Sequence, residues 1–224
     1  MEREDIRWKQ RFRNFNKSLE LNPEYAPGLA SRGESKVKLG DFKGSLEDFD
    51  KAITINPKRA NYYSSRAYSK LKLGEFATAL KDYAEAIKLS PDNPDDYYFS
   101  GFCKTQLENF RGENGEKGAL EDFSRSLELN PMKVEAYYGR GFSKSKIGDQ
   151  RGAIEDYTKA AETGNNENAK ILYDGKMSKN LLDDLRNGVQ DKIKMAEFTT
   201  ERAEIYFNRG SAKAKSGDQK QAMD

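Results

Sequence analysis

The chain has 224 residues, of which 34% are charged and only 36% are hydrophobic, and its formal net charge is +2. This balance offers no general attraction to nucleic acid or to anionic lipid. The absence of histidine and the single cysteine exclude Ser-His-Asp and Cys-His catalysis, an intramolecular disulfide, and imidazole or multi-cysteine metal sites. We therefore expect a protein that is not an enzyme and that needs no cofactor or metal.

The first predicted element is a helix over residues 4–22. Its apolar stripe consists of Trp8, Phe12, Phe15 and Leu19. Only the latter part of this helix matches the second half of the repeat unit found downstream, and no first half precedes it. We interpret residues 1–25 as an N-terminal capping helix, a partial repeat.

The charged opening of the chain is unlike a secretory signal, which is apolar. No stretch approaches the roughly 18 apolar residues that a membrane-spanning helix needs. The sequence therefore predicts a cytoplasmic protein that makes no contact with a membrane.

Two features recur along the chain. A helix-like segment ends in Asn-Pro or Ser-Pro at Pro23, Pro57, Pro91 and Pro131, which gives a period of 34 residues with one unit six residues longer. A glycine followed by an acidic residue recurs at Gly40, Gly74, Gly148 and Gly217. Seven residues before each of these glycines stands a small residue, namely Gly33, Ala67, Gly141 and Gly210.

These positions predict a helix-turn-helix unit. A small residue lets two helices approach closely, and glycine accepts the left-handed conformation that ends the first helix. The second helix carries apolar residues at i, i+4 and i+7, such as Ala79, Tyr83 and Ala86, which lie on one helical face. The proline then ends that helix, because the residue before proline avoids the α region.

A 34-residue unit of this kind resembles the tetratricopeptide repeat (TPR). The resemblance implies an all-α fold, a right-handed α-solenoid of tandem helix-turn-helix repeats. It places repeats at 26–59, 60–93, 94–133 with the six-residue insertion, and 134–167, and a truncated repeat at 203–224. Segment 168–202 is either a degenerate repeat or a longer non-repeat helix, because leucine and aspartate stand where the glycine turn belongs.

The chain departs from the family at one place where leucine is usual and where it carries arginine. A basic row of this kind would suit nucleic acid. However, an aspartate follows each of the first three arginines by sixteen residues, on the partner helix, which favours one ion pair inside each repeat. The expected pairs are Arg32–Asp48, Arg66–Asp82 and Arg140–Asp156, and Arg209 is the fourth arginine.

A second departure puts lysine where the family commonly has tyrosine. The lysines are Lys36, Lys70, Lys104, Lys144 and Lys213. We expect their aliphatic stems to cover the helix seam while their ammonium groups reach water. Cys103, at a small-residue position beside one of them, is expected to be a packed structural residue rather than a reactive thiol.

In this family the first helices line a concave groove, and certain of their positions point into it. The resemblance therefore implies a peptide-binding groove with an aromatic floor and a lysine rim, which suits an extended peptide or an amphipathic helix. Its predicted residues are Glu34, Lys38, Tyr68, Lys72, Tyr98, Phe102, Tyr138, Phe142, Lys146 and Phe207. The clamp that some relatives use for chaperone tails is missing, since its places hold Ala30, Glu34, Ser65, Asp95 and Phe99.

The sequence thus predicts a protein-protein interaction module or scaffold with a protein or peptide ligand and no nucleic-acid partner. The alternative is a self-assembling array. The N-terminal helix lacks its partner and residues 203–224 stop early in a second helix, as in a fragment of a longer array. Self-association through these incomplete terminal repeats would join copies end to end.

Overall fold

The computed structural model describes residues 2–112 and 117–163, and within these two ranges the chain forms nine α-helices and no strand. The helices are α1 (Glu2–Leu21), α2 (Ala26–Lys38), α3 (Phe42–Ile55), α4 (Ala60–Lys72), α5 (Phe76–Leu89), α6 (Pro94–Gln106), α7 (Ala119–Leu129), α8 (Val134–Lys146) and α9 (Gln150–Thr163). They divide between two compact units, Met1–Leu107 and Glu108–Asp224. The predicted all-α class of tandem helical hairpins is confirmed.

Tight glycine turns join the two helices of a hairpin. Gly40, Gly74 and Gly148 have φ angles of +83°, +81° and +87°, the left-handed region that glycine adopts without strain. The next residue then caps the second helix in two of these turns. The carboxylate of Asp41 accepts a hydrogen bond from the Gly44 amide at 2.8 Å, and Asp149 accepts one from Gly152 at 2.9 Å.

Small residues at the hairpin contact are required by the packing. A Cβ atom on Gly33 would lie 2.9 Å from the ring of Phe49, and one on Gly141 would lie 2.9 Å from the ring of Tyr157. The aromatic side chain of the second helix therefore occupies the space above the small residue of the first. Phe49 is fully buried, so this contact forms part of the core of the layer.

Helix α1 packs against α2 of the same chain. Leu19 is buried in one cluster with Leu29 and Ala30, and Asn16 accepts a hydrogen bond from Arg32 at 3.1 Å. Near the other end of α1, Ile6 is 67% exposed. The second half of α1 therefore occupies the place that a second helix takes beside the next hairpin.

The six-residue insertion lies between α6 and α7. The backbone amides of Ala119 and Leu120 donate to the carbonyl oxygens of Asn109 and Phe110, at 2.9 and 3.1 Å, which ties the far end of this loop to its beginning. The predictions for residues 168–202 and 203–224 lie outside the described residues. In the described part of the chain, no helix is long and apolar enough to span a bilayer, and no three metal-binding side chains cluster.

Candidate functional site

Three buried ion pairs recur with the repeat, and they are the pairs that the sequence predicts. The guanidinium of Arg66 donates to both carboxylate oxygens of Asp82, from Nε at 2.8 Å and from Nη2 at 2.6 Å. The same two-point pairing joins Arg140 to Asp156 and Arg32 to Asp48. The side chains of the three aspartates are only 2–6% exposed. The prediction of one arginine–aspartate pair inside each of these repeats is confirmed.

Five lysines occupy the position where the family commonly has tyrosine, and we expected their ammonium groups to reach water. This prediction is wrong for three of them. The ammonium group of Lys70 is not free in water but forms an ion pair with Asp82 at 2.7 Å, and the lysine side chain is only 19% exposed. The equivalent pairs are Lys36–Asp48 at 2.8 Å and Lys144–Asp156 at 2.9 Å. A carboxylate shielded from water attracts charge strongly, and its two oxygens accommodate a second donor beside the guanidinium. Each of these three layers therefore holds an aspartate between two cations.

Each arginine also reaches the second helix of the preceding layer. Nη1 of Arg66 lies 2.7 Å from Asp50, and the matching contacts are Arg32 with Asn16 at 3.1 Å and Arg140 with Ser124 at 3.2 Å. Burial alone would lower the pKa of Arg66, but hydrogen bonds to Asp82 and Asp50 outweigh it and raise the pKa. These arginines link helices of the protein to one another, which leaves them unsuited to a basic row for nucleic acid.

The helices α2, α4 and α6 of the first unit line a cleft of about 510 Å³. Each helix contributes polar or aromatic side chains to its wall. They include Glu34 and Lys38 from α2, Tyr68 and Lys72 from α4, and Asp96 and Phe99 from α6. The indole of Trp8, on α1, also lines the cleft. First helices of consecutive hairpins therefore form this surface.

Four of the predicted groove residues come together in this cleft, namely Glu34, Lys38, Tyr68 and Lys72. The two lysines lie near aromatic rings. Nζ of Lys72 is 5.4 Å from the centre of the Tyr68 ring, and Nζ of Lys38 is 6.0 Å from that of Trp8. Both distances are within the range of cation–π attraction. Two of the aromatic rings of the cleft, Trp8 and Tyr68, thus already lie near a lysine.

The other described candidates lie elsewhere. Tyr98 is 8% exposed and its ring packs edge-on against Phe99, while Phe102 packs against Phe76. In the second unit, Tyr138 is 8% exposed and contacts Tyr157. Phe142 contacts Phe110, with Nζ of Lys146 at 5.2 Å from the Phe142 ring. Phe207 lies outside the described residues. A ligand contact at these positions stays a prediction.

Among the other residues that line the cleft, the sequence analysis did not identify Trp8, Tyr83, Asp96 and Phe99 as groove residues. The run Tyr97-Tyr98-Phe99 contains a usable signal, because three consecutive aromatic residues of a helix cannot all share one face. No comparable signal marks Asp96, since an aspartate in the first turn of a helix looks like an ordinary terminal residue.

Cys103 lies in the core of the first unit. It is completely buried beside Ala67, Ala79 and Tyr83. Burial raises the pKa of its thiol to about 12, so the reactive thiolate is scarce at neutral pH. The prediction of a packed structural cysteine is confirmed.

Comparisons with known proteins agree with this fold. A family model described as tetratricopeptide repeat matches residues 31–95. The crystal structure of the MamA protein has a TM-score of 0.64 and 20% identity, covering 77% of this chain and 90% of that one. The structure of MamA residues 41 to the end from Desulfovibrio magneticus RS-1 has a TM-score of 0.64 and 18% identity. The match covers 75% of this chain and 88% of that one.

A third similar structure is YrrB, described as a TPR protein with an unusual peptide-binding site. Its TM-score is 0.60 at 18% identity, with 93% of this chain and 95% of that chain covered. No curated protein sequence matches the chain. At these identities the likeness to the solved structures concerns the fold. Residues 31–95 therefore match the tetratricopeptide repeat family, and the described helices share the fold of tandem helical hairpins with these solved structures.

Proposed function

We propose that the chain is a protein-protein interaction module or scaffold whose cleft between α2, α4 and α6 binds a peptide or partner helix. One observation carries the proposal. The cleft combines aromatic rings with side chains of both charges on three successive first helices, at Tyr68 and Phe99 and at Glu34, Lys38 and Lys72.

The dimensions and chemistry of the cleft suit a segment rather than a folded domain. A volume of about 510 Å³ falls within the roughly 300–1,000 Å³ of ligand pockets, room for a few side chains. Rigid rings such as Tyr68 supply contact area at small entropic cost. The exposed charges of Glu34 and Lys72 supply polar contacts that fix the register of a bound segment.

The likeness to YrrB adds support from outside the chain. That protein is described as having an unusual peptide-binding site, and its fold extends over 93% of this chain. The shared fold therefore supports the proposal of a peptide ligand for this chain.

The proposal is for binding without catalysis. The chain has no histidine to act as a base at neutral pH. The three buried aspartates of the repeating ion pairs, Asp48, Asp82 and Asp156, each face an arginine and a lysine. These carboxylates are therefore already engaged in ion pairs inside the protein.

Affinity capture tests the proposed function. Immobilised wild-type chain is compared with the variant Tyr68→Ala/Lys72→Ala, which removes two cleft side chains. The matched control is Lys51→Ala/Lys81→Ala, whose lysines are exposed on second helices. We expect the cleft variant to lose partner proteins that the control retains. Equal recovery from both variants would contradict binding in the cleft.

A second candidate function is end-to-end self-assembly. Its support is two exposed apolar residues toward opposite ends of α1, Ile6 and Leu21, which are 67% and 86% exposed. Exposed apolar side chains on a terminal helix favour contact with another copy. Against it, the second half of α1 already lies on α2, so only the remaining surface of α1 is left for that contact.

A further inference from the structure

We infer that the cleft contains a subsite for a basic side chain, a lysine or arginine of the bound peptide, formed by the carboxylate of Asp96 and the hydroxyl group of Tyr83. The inference rests on the proposed function, because it names the ligand chemistry of the same cleft. Both residues line the cleft, Asp96 from α6 and Tyr83 from α5.

Asp96 is a buried carboxylate without a cation. It is 2% exposed, and it accepts hydrogen bonds from Nδ2 of Asn93 at 2.9 Å and from Ser64. Its charged neighbour Asp95 is another acid. No salt bridge joins Asp96 to a lysine or arginine of the described residues. This sets Asp96 apart from Asp82, which is equally buried but lies between Arg66 and Lys70.

The position of Asp96 compensates only in part for the missing cation. It is the third residue of α6, where the partial positive charge of a helix N-terminus favours an acid. That effect does not offset the loss of water, since burial raises the pKa of the carboxyl group. A cation that arrives from outside would therefore meet a carboxylate that is held in place and poorly solvated.

Tyr83 provides the independent observation. Its side chain is 1% exposed, and its hydroxyl oxygen has no hydrogen-bond partner among the described residues. A buried hydroxyl group of this kind is uncommon, because leaving it unpaired costs free energy. An ammonium or guanidinium group has several N–H donors, so it can serve this oxygen and the Asp96 carboxylate together.

The walls around these two groups suit the rest of a basic side chain. The rings of Tyr68 and Phe99 meet edge to face, with their centres 5.3 Å apart. The ring of Phe99 stacks on that of Tyr83, with 6.0 Å between the centres. Aromatic faces attract cations, and the ammonium group of Lys72 lies over the Tyr68 ring in this way. Aromatic faces also pack well against the aliphatic part of a lysine or arginine side chain. An acidic ligand group is disfavoured at this point, because it would lie against Asp96.

The probe for this subsite is a set of acetylated and amidated nine-residue alanine–serine peptides that differ only at the central residue. That residue is lysine, arginine, norleucine or citrulline, so charge is separated from size. Trp8 is the single tryptophan of the chain and lines the cleft, so its fluorescence reports binding directly. We expect the lysine or arginine peptide to bind at least about tenfold more tightly than its neutral counterpart, a charged hydrogen bond being worth that much or more.

Two variants test the named atoms. Asp96→Asn keeps the shape but removes the charge, and we expect it to abolish the preference for the basic peptides. Tyr83→Phe keeps the ring but removes the hydroxyl group, and we expect a smaller loss, of a few fold. Lys81→Ala, exposed on α5, is the control and should bind as the wild type does. A thermal melt of each variant verifies folding.

The outcomes separate this inference from the proposed function. If neutral and basic peptides bind equally, or if Asp96→Asn keeps the full preference for charge, the basic subsite is refuted while peptide binding stands. If no peptide changes Trp8 fluorescence at millimolar concentration and the cleft variant also captures the same proteins as the control, both fail together.

Discussion

Arg66 and Asp82 form a two-point ion pair between the helices of one hairpin, and Lys70 approaches the same carboxylate at 2.7 Å. The aspartate side chain is 6% exposed and that of the arginine 18%. The pair therefore differs from ordinary surface ion pairs, which water and salt weaken. Removing one member leaves charge without a partner in a poorly solvated place.

We expect Asp82→Ala to lower the free energy of unfolding by about 3 kcal/mol, because Arg66 and Lys70 then face each other without their acid. Asp50→Ala is the matched control, since Asp50 binds the same arginine but its side chain is 59% exposed. That control should cost about 1 kcal/mol or less. Chemical denaturation followed by circular dichroism measures both, and equal effects would contradict the buried-pair account.

Unlike Asp82, the carboxyl group of Asp96 should lower the stability of the folded protein as the pH rises. Its raised pKa means that the folded protein holds the proton more tightly than the unfolded chain, whose value is near 3.8. This contribution to stability is full below that value and is lost as the pH rises through the folded pKa. The stability of Asp96→Asn relative to wild type should therefore increase between pH 3.5 and pH 7.

Denaturant unfolding of both proteins across that pH range measures the difference. The groups around the Asp96 carboxyl group are Ser64 on α4, Tyr83 on α5, and Asn93 and Asp95 at the start of α6. Of these only Asp95 carries a second carboxyl group. Its double variant Asp95→Asn/Asp96→Asn, compared with Asp95→Asn, isolates the Asp96 contribution. A difference that falls with rising pH would show that Asp96 has a cationic partner in the folded protein.

Tyr98 and Tyr138 should be more important for stability than their predicted place in the groove suggests. Both are 8% exposed and pack against other aromatic rings. We expect Tyr98→Ala to cost about 3 kcal/mol, as large-to-small changes in a core do. Tyr68→Ala, at a half-buried cleft position, should cost clearly less. Thermal melts compare the loss of stability in the two variants. A larger loss for Tyr68→Ala than for Tyr98→Ala would contradict a core position for Tyr98.

Sedimentation velocity distinguishes a cap from an assembly contact at α1. The contacts of Asn16 and Leu19 with α2 are made within one chain, so we expect the sedimentation coefficient of the full chain to be independent of concentration. A coefficient that rises with concentration, and stops rising when residues 1–16 are deleted, would instead support end-to-end assembly through this helix.

The repeat architecture can be predicted from the sequence because residues close together in the chain determine it. A left-handed turn needs Gly40 or Gly74, and a ring such as Phe49 needs a small residue opposite at Gly33. The pairing of Arg66 with Asp82 can also be predicted, because the same spacing of sixteen residues between arginine and aspartate recurs with the repeat.

The composition of the cleft is harder to predict because it depends on contacts that do not recur. The unpaired hydroxyl group of Tyr83 and the burial of Asp96 become visible only when α4, α5 and α6 are placed together. Trp8 lines the cleft through the packing of α1, for which a single repeat gives no template.

Site-specific photo-crosslinking tests the central claim, binding in the cleft, most directly. A photoreactive phenylalanine analogue replaces Tyr68 in the cleft or, in the control, Lys81 on the exposed side of α5. After irradiation with cell extract, the account predicts one or a few discrete crosslinked proteins from position 68 that excess of the same protein without the analogue suppresses. It predicts no such products from position 81. Identical crosslinks from both positions, or discrete products from position 81 alone, would contradict it.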